Sequence, residues 1–151
     1  MNPSRQPACV LVVDDDPDAR SIIARHVRRA GYKVIAAESG REALQAVAKH
    51  RIDLILLDLM MPEMDGFEVC RALKRDPAAA DIPIFMITAR DDLDARMESM
   101  RLGISEYLTK PVTRGLLIDR IRDHLAARAA TRATESALER LALGGSAEEE
   151  R

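Results

Sequence analysis

The chain has 151 residues, of which 47% are hydrophobic and only 3% aromatic, and its formal net charge is −2. This composition supports one globular domain with an aliphatic core, and the balanced charge argues against non-specific attraction to nucleic acid or to a membrane surface. No apolar run reaches the ~18 residues of a membrane span, and the N-terminus lacks the apolar stretch of a signal peptide. We therefore expect a cytoplasmic protein that contacts neither a membrane nor nucleic acid directly.

Short apolar runs alternate with helical patterns from the N-terminus onward. The first predicted strand, CVLVV at residues 9–13, precedes a helix at residues 17–30 that starts with Asp16 as N-cap and Pro17 at the first helical position. The further strands are predicted at residues 33–37, 54–57, 82–88 and 106–109, and the further helices at residues 39–50, 65–75, 91–102 and 113–127. Five such units in series predict an α/β fold, with a parallel sheet covered by helices on both faces.

Polar side chains follow four of the five predicted strands. Asp14, Asp15 and Asp16 come after the first strand, Asp58 after the third, Thr88 ends the fourth, and Lys110 follows the fifth. Parallel sheets of this kind bind their ligands at the carboxyl ends of the strands. The sequence therefore predicts that acids, a hydroxyl and an ammonium meet at one edge of the sheet.

The stretches VLVVDDDP, LLDLMMPEMDG, ITAR and YLTKPV stand at these strand ends, in this order. Together they resemble the receiver domain of two-component response regulators, over about residues 8–127. The resemblance implies a flavodoxin-like (βα)5 fold with strand order 2-1-3-4-5, and a cis bond before Pro111. It also implies a response regulator of two-component signalling, a phosphorelay in which the receiver becomes a phosphoprotein that carries an aspartyl phosphate.

The same resemblance assigns Asp58 as the phosphoacceptor and Mg²⁺ as the cofactor. With strands 1 and 3 adjacent, Asp14 and Asp15 would lie beside Asp58, and two carboxylates ~5 Å apart repel by roughly 3 kcal/mol at an effective dielectric of 20. A divalent cation reverses that repulsion, and Mg²⁺ prefers oxygen ligands of this type. The implied metal ligands are Asp14, Asp15, Asp58 and the backbone carbonyl of Met60, with Asp15 as a direct ligand.

Further roles follow from the resemblance for residues on the fourth and fifth strands. Lys110 would pair with a phosphoryl oxygen, and Thr88 would hydrogen-bond another. Thr88 and Tyr107 would form the switch, in which the threonine moves toward the phosphoryl group and the tyrosine rotates inward. Met60 and Arg90, each two residues beyond a site residue, would tune the lifetime of the phosphoryl group by ordering or excluding water.

The resemblance also implies the partners. The phosphoryl group would come from a sensor histidine kinase or a histidine phosphotransfer protein, and a downstream protein would bind the face formed by the fourth helix, fifth strand and fifth helix. A homodimer that depends on phosphorylation is left open. We expect no enzyme in the ordinary sense, but a phosphoacceptor that catalyses its own phosphotransfer and slow autodephosphorylation.

Residues 128–143 are rich in alanine, arginine, glutamate and leucine and predict a helical extension, whereas residues 144–151 predict a disordered acidic tail. No output domain is evident after residue 127, which favours a stand-alone receiver of the chemotaxis type. The alternative is a receiver cut from a longer regulator with a DNA-binding or enzymatic output domain. The sequence leaves open the cognate kinase, the target, the oligomeric state and the role of the tail.

A phosphatase of the haloacid-dehalogenase type is a remote alternative. There Asp14 would be the nucleophile and Asp16 the acid, since an acidic motif after an apolar strand also fits that family. That assignment leaves Asp58 unexplained, and no second acidic pair follows Lys110 at a strand end. The receiver interpretation accounts for more of the strand ends.

Overall fold

The computed structural model describes residues 6–149, with side chains described as far as residue 143. Five strands form one sheet: β1 Cys9–Val13, β2 Lys33–Ala37, β3 Leu54–Leu57, β4 Ile84–Thr88 and β5 Glu106–Thr109. All pairs are parallel, and the order is β2-β1-β3-β4-β5. The fold class and the strand order predicted from the sequence are confirmed.

The five helices alternate with the strands: α1 Pro17–Arg29, α2 Gly40–Lys49, α3 Gly66–Arg75, α4 Leu93–Arg101 and α5 Arg114–Glu149. At the first four helices, the N-cap side chain accepts a hydrogen bond from a backbone N–H of the first turn; these N-caps are Asp16, Ser39, Asp65 and Asp92. Strands β1, β3 and β4 are buried along their whole length, as expected for central strands covered on both faces. Among the helices of residues 6–149, none combines the length and the hydropathy that a membrane span requires.

The chain divides into two compact units, Met1–Ile118 and Asp119–Arg151. The first contains the sheet, and the second consists, within the described residues, of the rest of α5. The helical extension predicted for residues 128–143 is therefore present as helix. The domain boundary predicted at residue 127 stays a prediction, because the helix continues past it without a turn.

The C-terminal end of α5 differs from the sequence expectation. The sequence predicts that the helix ends at Gly144 and Gly145, whereas the helix continues to Glu149. A glycine lowers helix stability by about 1 kcal/mol relative to alanine but does not remove its backbone donor, so the helical ladder can pass through. The disorder predicted for residues 144–151 stays a prediction, and residues 150–151 lie outside the described residues.

Candidate functional site

The register of the sheet brings the first two site residues side by side. Val13 of β1 is paired with Leu57 of β3, so the next residue of each strand, Asp14 and Asp58, leaves the sheet at the same level. The backbone N–H of Asp58 donates to the carbonyl of Val13 at 3.0 Å, and the N–H of Asp14 donates to the carbonyl of Ala37 at 3.2 Å. Both aspartates are thus fixed by strand pairing that continues one residue past the strands.

Three carboxylates converge at this edge of the sheet. Carboxylate oxygens of Asp14, Asp15 and Asp58 all lie within 4.8 Å of one another. Asp14 is 2% exposed and Asp58 is 7% exposed, whereas Asp15 is exposed to solvent. A hard oxygen donor set with one open side fits Mg²⁺, which binds one or two carboxylates and keeps several waters.

Lys110 closes the cluster from the end of β5. Its ammonium lies 2.7 Å from Oδ2 of Asp14 and 3.3 Å from Oδ2 of Asp58. Burial opposes the charged ammonium, but the hydrogen bond to Asp14 and the charges of Asp58 and Asp14 outweigh that effect and raise the pKa of Lys110. The peptide bond to Pro111 is cis, as predicted. Three carboxylates and one ammonium leave a surplus of negative charge, which a divalent cation would neutralise.

Asp58 itself is held in a partly desolvated position. Burial raises the pKa of its carboxyl, Lys110 opposes that rise, and the negative charge of Asp14 adds to it. The backbone N–H of Met60 donates to Oδ1 of Asp58 at 3.2 Å. A Cβ added at Gly66 would lie 2.7 Å from the carbonyl oxygen of Asp58, so only glycine allows this close approach of the backbone.

Thr88 and Tyr107 meet at the backbone of Arg90. Thr88 is fully buried at the end of β4, and its hydroxyl accepts a hydrogen bond from the N–H of Arg90 at 3.2 Å. The half-buried Tyr107 donates its hydroxyl proton to the carbonyl oxygen of Arg90. One residue of the β4–α4 loop therefore connects the predicted switch pair through its two backbone groups.

Two arginines at the site were not singled out from the sequence. Arg20 of α1 donates from Nη1 to the carbonyl oxygen of Asp14 at 2.8 Å, which ties the helix to the acidic loop. Arg96 of α4 has its guanidinium 4.7 Å from the ring centre of Tyr107 and also pairs with Asp91. The only sequence signal was spacing, since Arg20 and Arg96 each lie one helical turn beyond an N-cap aspartate.

A cavity of about 340 Å³ opens beside the cluster. It is lined by Leu59, Met60, Met61, Asp65 and Arg90. The Met60 side chain is 60% exposed, and the Arg90 guanidinium pairs with Asp92. The two residues to which the sequence assigned lifetime tuning thus share one cavity, whereas their effect on lifetime stays a prediction.

Several known proteins resemble this chain in sequence. Response regulator MprA of Mycolicibacterium vanbaalenii is 42% identical over 116 residues, which cover 77% of this chain and 49% of that protein. The phosphate regulon transcriptional regulatory protein PhoB of Pseudomonas aeruginosa is 38% identical over 75% of this chain and 49% of its own length. The chain thus spans about half the length of these curated relatives.

Solved structures and a family model agree with this similarity. The Vibrio cholerae chemotaxis protein CheY4 is 33% identical with a TM-score of 0.75, over 78% of this chain and 98% of that one. A putative response regulator from Chloroflexus aurantiacus is 35% identical with a TM-score of 0.76, over 80% and 99%. The family model of the response regulator receiver domain matches residues 10–122. The chain therefore belongs to the receiver domains of response regulators, the family that functions in two-component signalling.

Proposed function

We propose that the chain accepts a phosphoryl group on Asp58, from a histidine kinase or a histidine phosphotransfer protein, in an Mg²⁺-dependent reaction. The observation that carries this proposal is the convergence of Asp14, Asp15 and Lys110 on the partly buried carboxylate of Asp58. Phosphoryl transfer requires mainly positioning and charge neutralisation. The cluster supplies the positioning, and Lys110 together with a bound Mg²⁺ would supply the neutralisation.

The chemical step uses a carboxylate oxygen of Asp58 as nucleophile. An Oδ atom of Asp58 forms a bond to phosphorus while the phosphorus–nitrogen bond of the donor histidine breaks. The imidazole nitrogen keeps the electron pair and takes up a proton. The N–H of Met60, which already donates to Oδ1 of Asp58, orients the carboxylate for this attack.

The metal would be held by Asp14, Asp15 and Asp58, with the backbone carbonyl of Met60 as a further ligand. When bound, Mg²⁺ supplies positive charge that neutralises the carboxylates and the incoming phosphoryl oxygens. The chain's own contribution is to hold its acids in place. Arg20 donates to the backbone carbonyl oxygen of Asp14, and the N–H of Asp16 donates to Oδ1 of the Asp14 carboxylate.

Lys110 and Thr88 would each bind an oxygen of the phosphoryl group on Asp58. The Lys110 ammonium contacts both Asp14 and Asp58, so it is close enough to follow a phosphoryl oxygen attached to Asp58. The Thr88 hydroxyl accepts from the Arg90 N–H, which leaves its own proton available for a phosphoryl oxygen. Phosphorylation adds about −1.5 to −2 charges and strong acceptors, which gives both residues a new partner.

The switch would pass from Thr88 through the β4–α4 loop. A shift of Thr88 pulls on the N–H of Arg90, whose carbonyl binds Tyr107. The two conformations are populations of one equilibrium, and the phosphoryl group favours the one in which it has more contacts. The surface formed by α4, β5 and the first turn of α5 would change shape and bind a downstream protein. Met60 and Arg90 would set how long that state lasts, through water access from their shared cavity.

The test is intact-mass measurement after incubation with a small-molecule phosphodonor and Mg²⁺. The wild-type chain should gain the mass of one phosphoryl group, and Asp58→Asn should gain none. Asp81→Asn removes an exposed acid away from the cluster and is the matched control, which should behave as wild type. Equal mass gain in Asp58→Asn and wild type would overturn the assignment.

A second candidate is a receiver within a longer regulator that has a DNA-binding or enzymatic output domain. It is favoured by the relatives named as transcriptional regulators, of which this chain spans about half. Immunoblotting of source cells with an antibody to this chain tests it. A band at the mass of the present chain would contradict this candidate, and a band near twice that mass would support it.

A further inference from the structure

The part of α5 beyond residue 125 exposes apolar side chains to solvent. Leu138, Leu141 and Leu143 are 61%, 72% and 73% exposed. All side chains from residue 126 to 143 are exposed or half-buried. Helices in water gain most of their stability by packing an apolar face against a partner, and these exposed leucines provide such a face.

Five side chains of this segment form a regular stripe. Ala127, Thr131, Thr134, Leu138 and Leu141 are separated by four, three, four and three residues, which is the heptad spacing of a two-helix seam. The hydroxyls of Thr131 and Thr134 donate to the carbonyls one turn earlier, each at 3.0 Å. A partner helix would therefore cover the stripe without burying an unsatisfied hydroxyl donor. Leu143 lies outside this spacing.

The charges of the segment indicate the direction of a partner. Within the segment, residues 126–132 contain two arginines and no acid, whereas residues 133–143 contain two glutamates and one arginine. The first half is therefore basic and the second half acidic. A second copy in parallel orientation would place the two basic halves side by side and the two acidic halves side by side. An antiparallel copy instead places the basic half of each chain beside the acidic half of the other.

We propose that this segment of α5 pairs with the same segment of a second copy in antiparallel orientation. Ala127 of one copy then packs against Leu138 of the partner subunit, and Thr131 packs against Thr134 of the partner subunit. Leu138 of each copy then meets a small residue, which allows close helix packing at that level. The pairing uses no residue of the phosphoryl site and does not rest on the proposed phosphorylation.

Sedimentation velocity of the full chain over a wide concentration range tests the pairing, without phosphodonor or Mg²⁺. The wild-type chain should be a concentration-dependent dimer. The double substitution L138E/L141E should weaken dimerisation by at least about 100-fold, because pairing would then bury charges. Leu143→Glu alters an equally exposed leucine off the stripe and should leave the dimer intact. A wild-type monomer at all concentrations, or equal weakening by Leu143→Glu, would overturn the proposal.

Disulfide formation tests the orientation. A mixture of Ala127→Cys and Leu138→Cys chains should give a cross-linked heterodimer, while each variant alone should cross-link poorly. Cys9 and Cys70 are buried and do not compete. Efficient homodimer cross-linking of each variant alone would show parallel pairing and overturn the proposal. The Asp58→Asn chain should dimerise as wild type does, which separates a failure of this proposal from a failure of the phosphoryl proposal.

Discussion

Helices α3 and α4 are neighbours in sequence and nearly equal in length, yet the chain holds them in different ways. Each begins with an aspartate N-cap, Asp65 for α3 and Asp92 for α4. Helix α3 buries four of its residues: Gly66, Val69, Cys70 and Leu73. Helix α4 buries two small ones, Ala95 and Ser99, and exposes Leu93, Met97 and Met100 by 48% to 78%.

What holds α4 is mostly charge. Arg96 pairs with Asp91 in front of the helix, and Glu98 pairs with Arg71 of α3 and with Arg101 of α4 itself. Exposed ion pairs of this kind contribute about 0–1 kcal/mol each, whereas a buried leucine or valine contributes about 1.5–3 kcal/mol. Helix α4 can therefore change position without opening the apolar core.

The difference in packing suits each helix to a different task. The loop before α3 carries Met60 and joins the helix to Asp58, so a firmly packed α3 would hold the proposed phosphoacceptor in place. The loop before α4 carries Arg90, which connects Thr88 to Tyr107. The proposed function requires the chain both to fix the Asp58 carboxylate and to respond to its phosphorylation, and one firmly packed helix beside one weakly packed helix suits these two requirements. The following predictions test that contrast.

The largest effect is expected from truncating the buried face of α3. Leu73→Ala removes a 2% exposed side chain from the core and should lower the free energy of unfolding by about 2–5 kcal/mol. Met100→Ala, on a 78% exposed side chain of α4, should change it by no more than about 0.5 kcal/mol. Urea denaturation measured by circular dichroism gives both values. Comparable losses in the two variants would remove the contrast between the helices.

A smaller loss is expected at the first residue of α3. A Cβ at Gly66 would lie 2.7 Å from the carbonyl oxygen of Asp58 and 2.8 Å from Cα of Leu59, so Gly66→Ala must displace the backbone of these two residues. We expect a loss of about 1–3 kcal/mol in urea denaturation and weaker Mg²⁺ binding by titration calorimetry.

Gly31→Ala is not a matched control because Gly31 has a positive φ, whereas Gly115→Ala meets no atom within 4 Å and should be tolerated. Wild-type stability and Mg²⁺ affinity in Gly66→Ala would show that the close approach is not needed.

The sequence predicted the strands and the acids at their ends better than the contacts that long side chains make between elements. The apolar runs predicted all five strands, and only β4 starts later than expected, at Ile84, because Pro83 lacks the N–H that a ladder needs. The alternation of strands and helices placed the acids at one edge, since parallel strands finish at one edge, whereas the adjacency of strands 1 and 3 came from the family resemblance. The contacts of Arg20 and Arg96 were missed because long side chains join elements that no local pattern relates.

Removing the contact of Arg96 with Tyr107 is expected to lower the free energy of unfolding less than either α3 variant does. Arg96→Met abolishes the pair with Asp91, the hydrogen bond to Thr109 and the stacking on Tyr107. Exposed ion pairs and cation–π contacts contribute little, so the free energy of unfolding should fall by about 1 kcal/mol or less. Hydrogen exchange followed by mass spectrometry should nevertheless accelerate in α4, with no change in α3.

The control for this variant is Arg101→Met, which removes an exposed ion pair at the other end of α4 and leaves Tyr107 covered. It should accelerate exchange less than Arg96→Met does. Equal acceleration in the two variants would mean that the stacking on Tyr107 does not hold the start of the helix. Acceleration that extends into α3 would mean that the two helices open together, against the contrast drawn above.

The smallest effect on stability is expected from Met100→Cys, which adds a thiol to α4. This thiol and the native Cys70 of α3 then report how accessible each helix is. Burial raises the pKa of Cys70 on α3 to about 12, so at pH 8 this group is a protonated thiol without access to solvent, and the thiolate is the reactive form. A thiol reagent should label Cys70 only at the rate at which the protein unfolds. In Met100→Cys, the new thiol on α4 should react at the rate of an exposed cysteine while Cys70 stays protected.

Denaturant should bring the two rates together, because unfolding removes the burial that raises the pKa of Cys70. Peptide mapping of the labelled protein distinguishes the two sites. Rapid labelling of Cys70 in the native protein would show that α3 opens locally, and the contrast between a firmly packed α3 and a weakly packed α4 would then be wrong.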